Sequence, residues 1–263
     1  MGLTQLTLGR QVAALEEALG VLLFERTARG IVLTQTGLDL LDDVRAMATA
    51  ADHLALTASG QSQAIAGHVT ISTTDLMALL HLPPAFAALR ETAPGIDIEI
   101  VTANHVSDLR RREADIAIRH VRPDQPDLIA RLVNETQGRF YAATDFLDRH
   151  GRPETVADLA RMDFVGFDDI DRMVGYMNEI GIPVAAQNFR ISSANGIVAW
   201  DLVKRGFGVG AMVDETAAIT EGVECVLPDL APIPVPIWLV THRELHSSRR
   251  IRVVFDTLAE ILG

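Results

Sequence analysis

The alternation of strand-like and helical segments is the feature that most constrains the fold. Beyond Gly67 the chain reads as a strand (HVTIST), a helix interrupted near Pro83-Pro84 (LMALLHLPPAFAALRETAP), a strand (IDIEIVT), a helix (VSDLRRREA) and a strand (DIAIRH). A second series of strands and helices begins at RFYAATDFL, and the chain closes with strand VPIWLVTH and helix RRIRVVFDTLAEIL. Such alternation indicates a parallel sheet with helices on both faces. The predicted fold class is therefore α/β.

Charge and composition restrict the partners that this chain can have. Its 263 residues allow two compact units, or one unit with a small appendage, and the net charge is −12. Charge of that sign, spread evenly, would repel nucleic acid, so contact with DNA would need a local basic patch. Cys225 is the only cysteine, which fits a reducing compartment. No apolar run reaches the ~18 residues of a membrane span and no signal peptide is evident, so we expect a cytoplasmic protein without membrane contact.

The opening residues read as a helix followed by a basic hairpin. Apolar residues recur at helical spacing before Gly20, which suits the position just after a helix: Leu8, Val12, Leu15 and Leu19. Two β-prone runs, VLLFERT and RGIVLT, then flank Ala28-Arg29-Gly30. This order is typical of a DNA recognition helix and its wing, although a helix followed by a hairpin also occurs in many other proteins.

The same stretch, LTQLTLGRQVAALEEALGVLLFERTARGIVLTQTG, resembles the recognition helix and wing of LysR-type transcriptional regulators. The matching residues are Gln5, Thr7, Ala14-Leu15-Glu16, Leu19-Gly20, Leu23-Phe24-Glu25-Arg26, Arg29-Gly30 and Leu33-Thr34-Gln35-Thr36-Gly37. The resemblance implies a set of side chains that face the major groove: Thr4, Gln5, Thr7, Arg10 and Gln11. It also implies that two arginines of the wing, Arg26 and Arg29, contact the DNA backbone.

Two departures from that family pattern affect the DNA reader. Leu6 and Gly9 stand where the family has proline and serine at the start of the recognition helix. The family also has two helices before this point, whereas only Met1 to Leu3 precede it here. We therefore expect a misassigned or truncated start, a partial winged helix-turn-helix over residues 1–36, and weak or absent DNA binding by the chain as written.

A seam of apolar residues follows the hairpin. Its members step alternately by four and three residues: Leu40, Val44, Met47, Ala51, Leu54 and Ala58. This period of 3.5 is typical of a helix that pairs with another helix, and the alternative is an amphipathic helix packed on its own domain. The seam ends at Ser59-Gly60-Gln61-Ser62, a composition that predicts a flexible joint. The resemblance favours a dimerising linker helix over residues 37–62, and hence a homo-oligomer, either dimer or tetramer.

The remaining chain resembles the effector domain of the same regulators at four segments: DIAIR, FYAATDFLDRHGRP, SANGIVAWDLVKRGFGVGAMV and RRIRVVFDTLAEIL. That domain has two α/β lobes of the periplasmic-binding-protein type, two crossing strands and a ligand cleft. The resemblance implies one lobe over residues 66–138 and 239–263 and another over residues 139–238.

Polar residues at the ends of predicted strands are candidates for the cleft, because ligands bind α/β sheets at the carboxyl ends of strands. They are Ser72, Thr73, Thr74, Thr102, Ala103, Asn104, Arg119, His120, Ser193 and Asn195. Arg119 would suit a carboxylate and His120 would make affinity depend on pH. The alternatives are that the serines and threonines are only helix caps and that Arg119 is an ordinary surface or ion-paired group.

Together these patterns predict a ligand-responsive regulator of the LysR type, whose effector is a small molecule such as a carboxylate. The competing class is a two-lobed solute-binding protein that does not bind DNA. No arrangement of residues predicts an enzyme, and we expect no cofactor, no metal site and no catalytic residues.

Overall fold

The computed structural model describes residues 5–27, 30–41, 43, 44, 47, 51, 65–102, 104 and 114–263. The chain divides into two compact units, residues 1–62 with 111–113, and residues 63–110 with 114–263. None of the helices formed by the described residues is both long enough and apolar enough to cross a membrane.

The smaller unit contains the predicted helix and hairpin. Helix α1 spans Gln5–Leu19, and Gly20 follows it with a φ of 69°, a left-handed conformation that glycine adopts without steric cost. Strands β1 (Phe24–Thr27) and β2 (Gly30–Leu33) are antiparallel. The prediction of a helix that ends at glycine and leads into a hairpin is confirmed.

Several motif residues hold this hairpin and the segment after it in place. A Glu16 carboxylate oxygen accepts a hydrogen bond from the Leu23 backbone N–H at 2.7 Å. The Thr34 hydroxyl donates to the Leu22 carbonyl at 2.7 Å and accepts from the Gly37 backbone N–H at 3.0 Å. A Cβ on Gly37 would collide with the Leu23 carbonyl oxygen, so only glycine fits there. The Leu-Thr-x-x-Gly motif therefore has a structural explanation in the packing of this unit.

The predicted linker helix is described only in part. Residues 35–41, 43, 44, 47 and 51 have helical backbone. The side chains of Val44 and Met47 on the seam are 53% and 71% exposed. Leu54, Ala58 and the joint at 59–62 lie outside the described residues, as does the predicted helix VSDLRRREA apart from Ala114.

The larger unit has the predicted mixture of strands and helices. Its strands are β3 (Ala66–Thr73), β4 (Gly95–Thr102), β5 (Ile116–Arg119), β6 (Leu128–Ala143), β7 (Val165–Phe167), β8 (Ile191–Ser193), β9 (Gly210–Val213), β10 (Val223–Val226) and β11 (Ile233–His242). Its helices are α2 (Asp75–Leu80), α3 (Pro83–Thr92), α4 (Thr144–His150), α5 (Val156–Leu159), α6 (Ile170–Glu179), α7 (Gly196–Lys204), α8 (Asp214–Ala218), α9 (Arg243–His246) and α10 (Arg249–Leu262). The interruption predicted at Pro83-Pro84 is confirmed, because α3 begins there.

Two long strands run through both halves of the larger unit. Within the described residues, seven strands form a sheet of order β10-β6-β11-β5-β3-β4, with β9 also paired to β6. Strands β6 and β11 are antiparallel over most of their length, with a register shift at Ile237/Trp238. One end of this pair joins the parallel strands β3 and β4 through β5, and the other end of β6 joins β9 and β10. The pair β6 and β11 matches the two crossing strands that the resemblance implied.

Separate apolar cores lie at the two ends of these strands. One packs α2, α3 and α10 against β3 and β5, with Ile71, Leu82 and Leu258 fully buried. The second is built around Phe140, Phe164 and nearby helices, and adjoins a cluster around Trp200. This arrangement is the two-lobed α/β fold predicted from the sequence.

Candidate functional site

A cavity of about 520 Å³ lies between the cores of the two lobes. That volume is within the range of roughly 300 to 1,000 Å³ that is typical of sites for small molecules. Most of its wall is apolar and comes from both lobes: Val165, Phe167, Trp200, Met212, Ile237 and Leu262. The cavity can therefore enclose a molecule with an apolar body.

Two histidines are among the polar residues of this mostly apolar wall. The Nε2 of His81 lies 2.9 Å from the Thr216 hydroxyl. The Nδ1 of His120 lies 3.2 Å from the Pro236 carbonyl oxygen. Because that carbonyl can only accept, Nδ1 of His120 must be the donor, which leaves Nε2 of the neutral ring as an acceptor.

Burial keeps both imidazole rings uncharged near neutral pH. It lowers the pKa of His120, an effect that the bond to Pro236 opposes and that the charges of Arg119 and His81 reinforce. Burial also lowers the pKa of His81, against an opposing effect from Glu215. Neutral rings in an apolar wall act as hydrogen-bonding groups rather than as positive charges.

Asp75, at the start of α2, connects the two lobes. Its side chain is buried, with 5% of the residue exposed. One carboxylate oxygen accepts from the Gly196 backbone N–H at 2.7 Å and from the Asn104 amide at 2.9 Å. The Asn104 amide also donates to the Ala194 carbonyl at 2.9 Å. These hydrogen bonds join Asp75, Asn104, Ala194 and Gly196 into a contact between the lobes that we call the polar seam. It closes one side of the cavity, between the ends of β3 and β4 and the N-terminus of α7.

Helix caps bring these groups together. Thr74 caps α2 by accepting from the Met77 backbone N–H, and Asn195 caps α7 by accepting from the Val198 backbone N–H at 3.0 Å. Both caps satisfy N–H groups that a helix start leaves without an intrahelical partner. The capping alternative considered for the serines and threonines therefore describes what the Thr74 side chain does here.

Arg119 points to the strand ends rather than into the cavity. Its guanidinium donates to the Ser72 hydroxyl at 2.7 Å and to the carbonyls of Ser72 and Ile118, each at 3.0 Å. Ser72 and Thr73 are buried, with 3% and 0% exposed, and none of these three predicted residues lines the cavity. Arg119 therefore holds the ends of two neighbouring strands together.

The other seven predicted cleft residues lie at different places. Thr74 and His120 line the cavity. Asn104, Ser193 and Asn195 lie along the polar seam. Thr102 is exposed at the end of β4, and Ala103 lies outside the described residues.

Sequence reasoning missed seven polar residues of the cavity lining: Asp75, His81, Asn134, Thr136, Arg172, Glu215 and Thr216. Asp75 directly follows the predicted Ser72 to Thr74 loop, so its position was a usable signal. His81 and Thr216 are brought together only by the fold.

The predicted DNA-contacting residues are described unevenly. Arg10 and Gln11 are exposed on α1. Gln5 and Thr7 lie in helix α1, and Arg26 lies in strand β1. Thr4 and Arg29 lie outside the described residues.

Comparison with protein families gives two matches, which leave only residues 39–61 between them unmatched. The model described as "LysR substrate binding domain" matches residues 62–263. The model described as "Bacterial regulatory helix-turn-helix protein, lysR family" matches residues 1–38.

Individual relatives match over almost the whole chain. The HTH-type transcriptional regulator CrgA of Neisseria meningitidis serogroup B is 26% identical over 269 residues, covering 97% of this chain and 87% of the relative. The HTH-type transcriptional regulator DmlR of Escherichia coli K12 is 23% identical over 266 residues, covering 99% and 86%. Among solved structures, the full-length Vibrio cholerae virulence activator AphB is similar in fold, with a TM-score of 0.64, 22% identity and coverage of 97% and 89%.

Proposed function

The chain belongs to the LysR family of bacterial transcriptional regulators, and on that premise we propose that its cavity binds the small-molecule effector that controls its activity on DNA. The observation that carries this proposal is the cavity of about 520 Å³ whose wall is shared by the two lobes. A molecule bound there contacts both lobes at once, so it favours one lobe arrangement over another. A regulator responds to its effector only when the two arrangements bind the effector unequally.

We assign roles in effector binding to two groups of residues. Residues of the cavity wall contact the effector directly, and among them His81, His120 and Thr216 supply hydrogen bonds. Residues of the polar seam, among them Asp75 and Asn104, set how the lobes meet. Ser72 and Arg119 support the strand ends behind them.

The proposed DNA-reading part is residues 1–36. The exposure of Arg10 and Gln11 on α1 supports it, because a recognition helix presents polar and basic side chains to base edges and phosphates.

The larger unit would then be the sensing part, with one lobe over residues 66–138 and 239–263 and the other over residues 139–238. The core residues of β3, β5 and α10 fall in the first lobe and those around Phe140 and Phe164 in the second.

We further propose that residues 37–62 pair with a second copy of the chain. Val44 and Met47 are large apolar side chains with about half or more of their surface exposed, and they lie on the seam of period 3.5. Such a seam is stabilised when a partner helix covers it.

A ligand screen with a blocked cavity tests the effector proposal. The stability of the full chain is measured against a panel of small metabolites by thermal shift, and each hit is repeated on Ala211→Trp. Ala211 is exposed and lies on the cavity lining, so tryptophan there takes up cavity space. Ala157→Trp, at an exposed position of α5 away from the lining, is the matched control. Hits should lose their effect in the first variant and keep it in the second; hits indifferent to Ala211→Trp would argue against the cavity as effector site.

A further inference from the structure

We infer that the cavity selects an uncharged, mostly apolar effector that carries a hydroxyl or N–H donor, and that Asp75 is the residue that excludes carboxylates. This inference rests on the proposed function, because it gives the chemical class of the effector bound in that cavity. It differs from the small carboxylate considered from the sequence alone.

Asp75 already occupies the place that an anionic ligand would need. The N-terminus of α7 carries backbone N–H groups and a positive dipole end that favour a negative group. The Asp75 carboxylate takes the Gly196 N–H there at 2.7 Å, and its other oxygen accepts from the Leu76 N–H at 2.7 Å. Gly196 permits this approach, since a Cβ at that position would lie 2.7 Å from the carboxylate. A carboxylate of an effector would meet a like charge at this site.

The other charged side chains of the lining do not compensate for Asp75. Glu215 adds a second carboxylate. The guanidinium of Arg172 is on the lining but lies 3.3 Å from an Asp168 carboxylate oxygen. Arg119 is directed at Ser72 instead. The described lining therefore presents more negative than positive charge, which disfavours a bound anion.

The ring of His120 favours a ligand that donates a hydrogen bond. His120 has its Nδ1 engaged with Pro236, so its Nε2 can only accept. The surrounding wall, with Phe167, Trp200 and Met212, suits an apolar body. A cationic ligand would lose its hydration on entering this apolar wall. The buried carboxylate of Asp75 would compensate for little of that loss, because it already accepts three hydrogen bonds. An uncharged molecule with one donor matches these groups without leaving a charge unpaired.

Matched probes test the inference on the full chain. Binding of benzamide, benzoate and benzylamine, and of the corresponding 2-naphthyl amide, carboxylate and methylamine, is measured by calorimetry and thermal shift near neutral pH. We expect the amides to bind and the carboxylates to bind at least about tenfold more weakly, a modest figure for like charges close together in a partly buried site. A carboxylate or amine that binds as well as its amide, with sensitivity to Ala211→Trp, would overturn the inference while leaving the proposed function standing. If the amides do not bind, the inference is overturned; if a probe binds but its binding ignores Ala211→Trp, the proposed effector cavity itself is contradicted.

A charge variant tests the role of Asp75 separately. Asp75→Asn should improve carboxylate binding relative to amide binding by about tenfold, whereas Asp256→Asn, an exposed carboxylate on α10, should not. An unchanged preference in Asp75→Asn would overturn the assignment of selectivity to Asp75. Asp75→Ser removes the same charge with a smaller side chain and replaces the first variant if that one does not fold. The wild-type chain itself tests the ligand class, because its binding of amides is compared with its binding of carboxylates. That comparison holds even if neither variant folds.

Discussion

The backbone N–H of Gly196 donates to the carboxylate of Asp75 at 2.7 Å, which joins the start of α7 in one lobe to the start of α2 in the other. A methyl group on Gly196 would lie 2.7 Å from an Asp75 oxygen and 3.1 Å from a Leu76 methyl carbon. The first distance is shorter than Cβ contacts in proteins, and the second is tighter than most of them. The contact therefore depends on glycine.

Gly196→Ala should lower the free energy of unfolding by about 1 to 3 kcal/mol, because the lobes must shift or the buried carboxylate must lose a donor. Urea unfolding measures the change. The matched control is Gly175→Ala in the middle of α6, where a Cβ would meet nothing within 4 Å and alanine should stabilise by up to about 1 kcal/mol. Equal effects of the two substitutions would contradict the close approach at Gly196.

Arg119→Ala should destabilise the chain by about 1.5 to 3 kcal/mol, since it removes charge-assisted hydrogen bonds to buried Ser72. Arg161→Ala is the control, because that side chain is 77% exposed and pairs only with a neighbouring exposed carboxylate. Measured by urea unfolding, the control should change stability by less than about 0.5 kcal/mol. If Arg119→Ala instead left stability unchanged and abolished the binding of a carboxylate effector, the ligand role predicted from the sequence would replace the structural one.

The stability of the chain should fall as pH drops below about 6.5, in part because of His120. Burial lowers the pKa of His120 below its ordinary value of 6.5, so between the two values the unfolded chain binds more protons than the folded chain. The stability that neutral His120 contributes is therefore fully present above pH 6.5. It is lost as the pH falls through the pKa that His120 has in the folded chain. His120→Gln should lose less stability than the wild type between about pH 7.5 and pH 5.5, as measured by urea unfolding at each pH. Parallel pH profiles for the two proteins would show that His120 is not held neutral.

Arg10→Ala should weaken DNA binding by about 1 kcal/mol or more and reduce its dependence on salt, if this exposed residue of α1 contacts a phosphate. Because we expect the chain as written to bind DNA weakly, duplexes are selected from a random pool at low salt, where phosphate contacts are strongest, and affinity is then measured at several salt concentrations. Arg90→Ala, a substitution in helix α3 of the larger unit, is the control. Equal losses from the two substitutions would indicate a general charge effect rather than contact by α1.

Val44→Glu combined with Met47→Glu should shift the chain toward the monomer, because it places charges on the exposed apolar seam. Sedimentation analysis over a range of concentrations measures the change. Asp39→Glu and Asp43→Glu, at exposed positions of the same segment, serve together as the control. An unaltered oligomer in the Val44 and Met47 variant would remove the seam from the proposed interface.

Local patterns determined most of the secondary structure. The end of α1 at Gly20 and the start of α3 at Pro83 follow from the backbone preferences of glycine and proline, which act wherever these residues occur. The first eleven residues of β6, Leu128–Gly138, were not predicted, because Asn134, Glu135 and Gln137 interrupt any clear alternation. Pairing with β11 makes that segment a strand.

The chain's own sequence determined the family, the two-lobed α/β class and the loops that border the cavity, since motifs and periodicity are local properties. Only the tertiary structure decided what individual side chains do. It turned Arg119 toward Ser72 and brought Asp75 to Gly196, a residue 121 positions away. It also paired His81 with Thr216 across 135 positions. Such contacts depend on how two lobes meet, and no spacing within a single segment encodes that geometry.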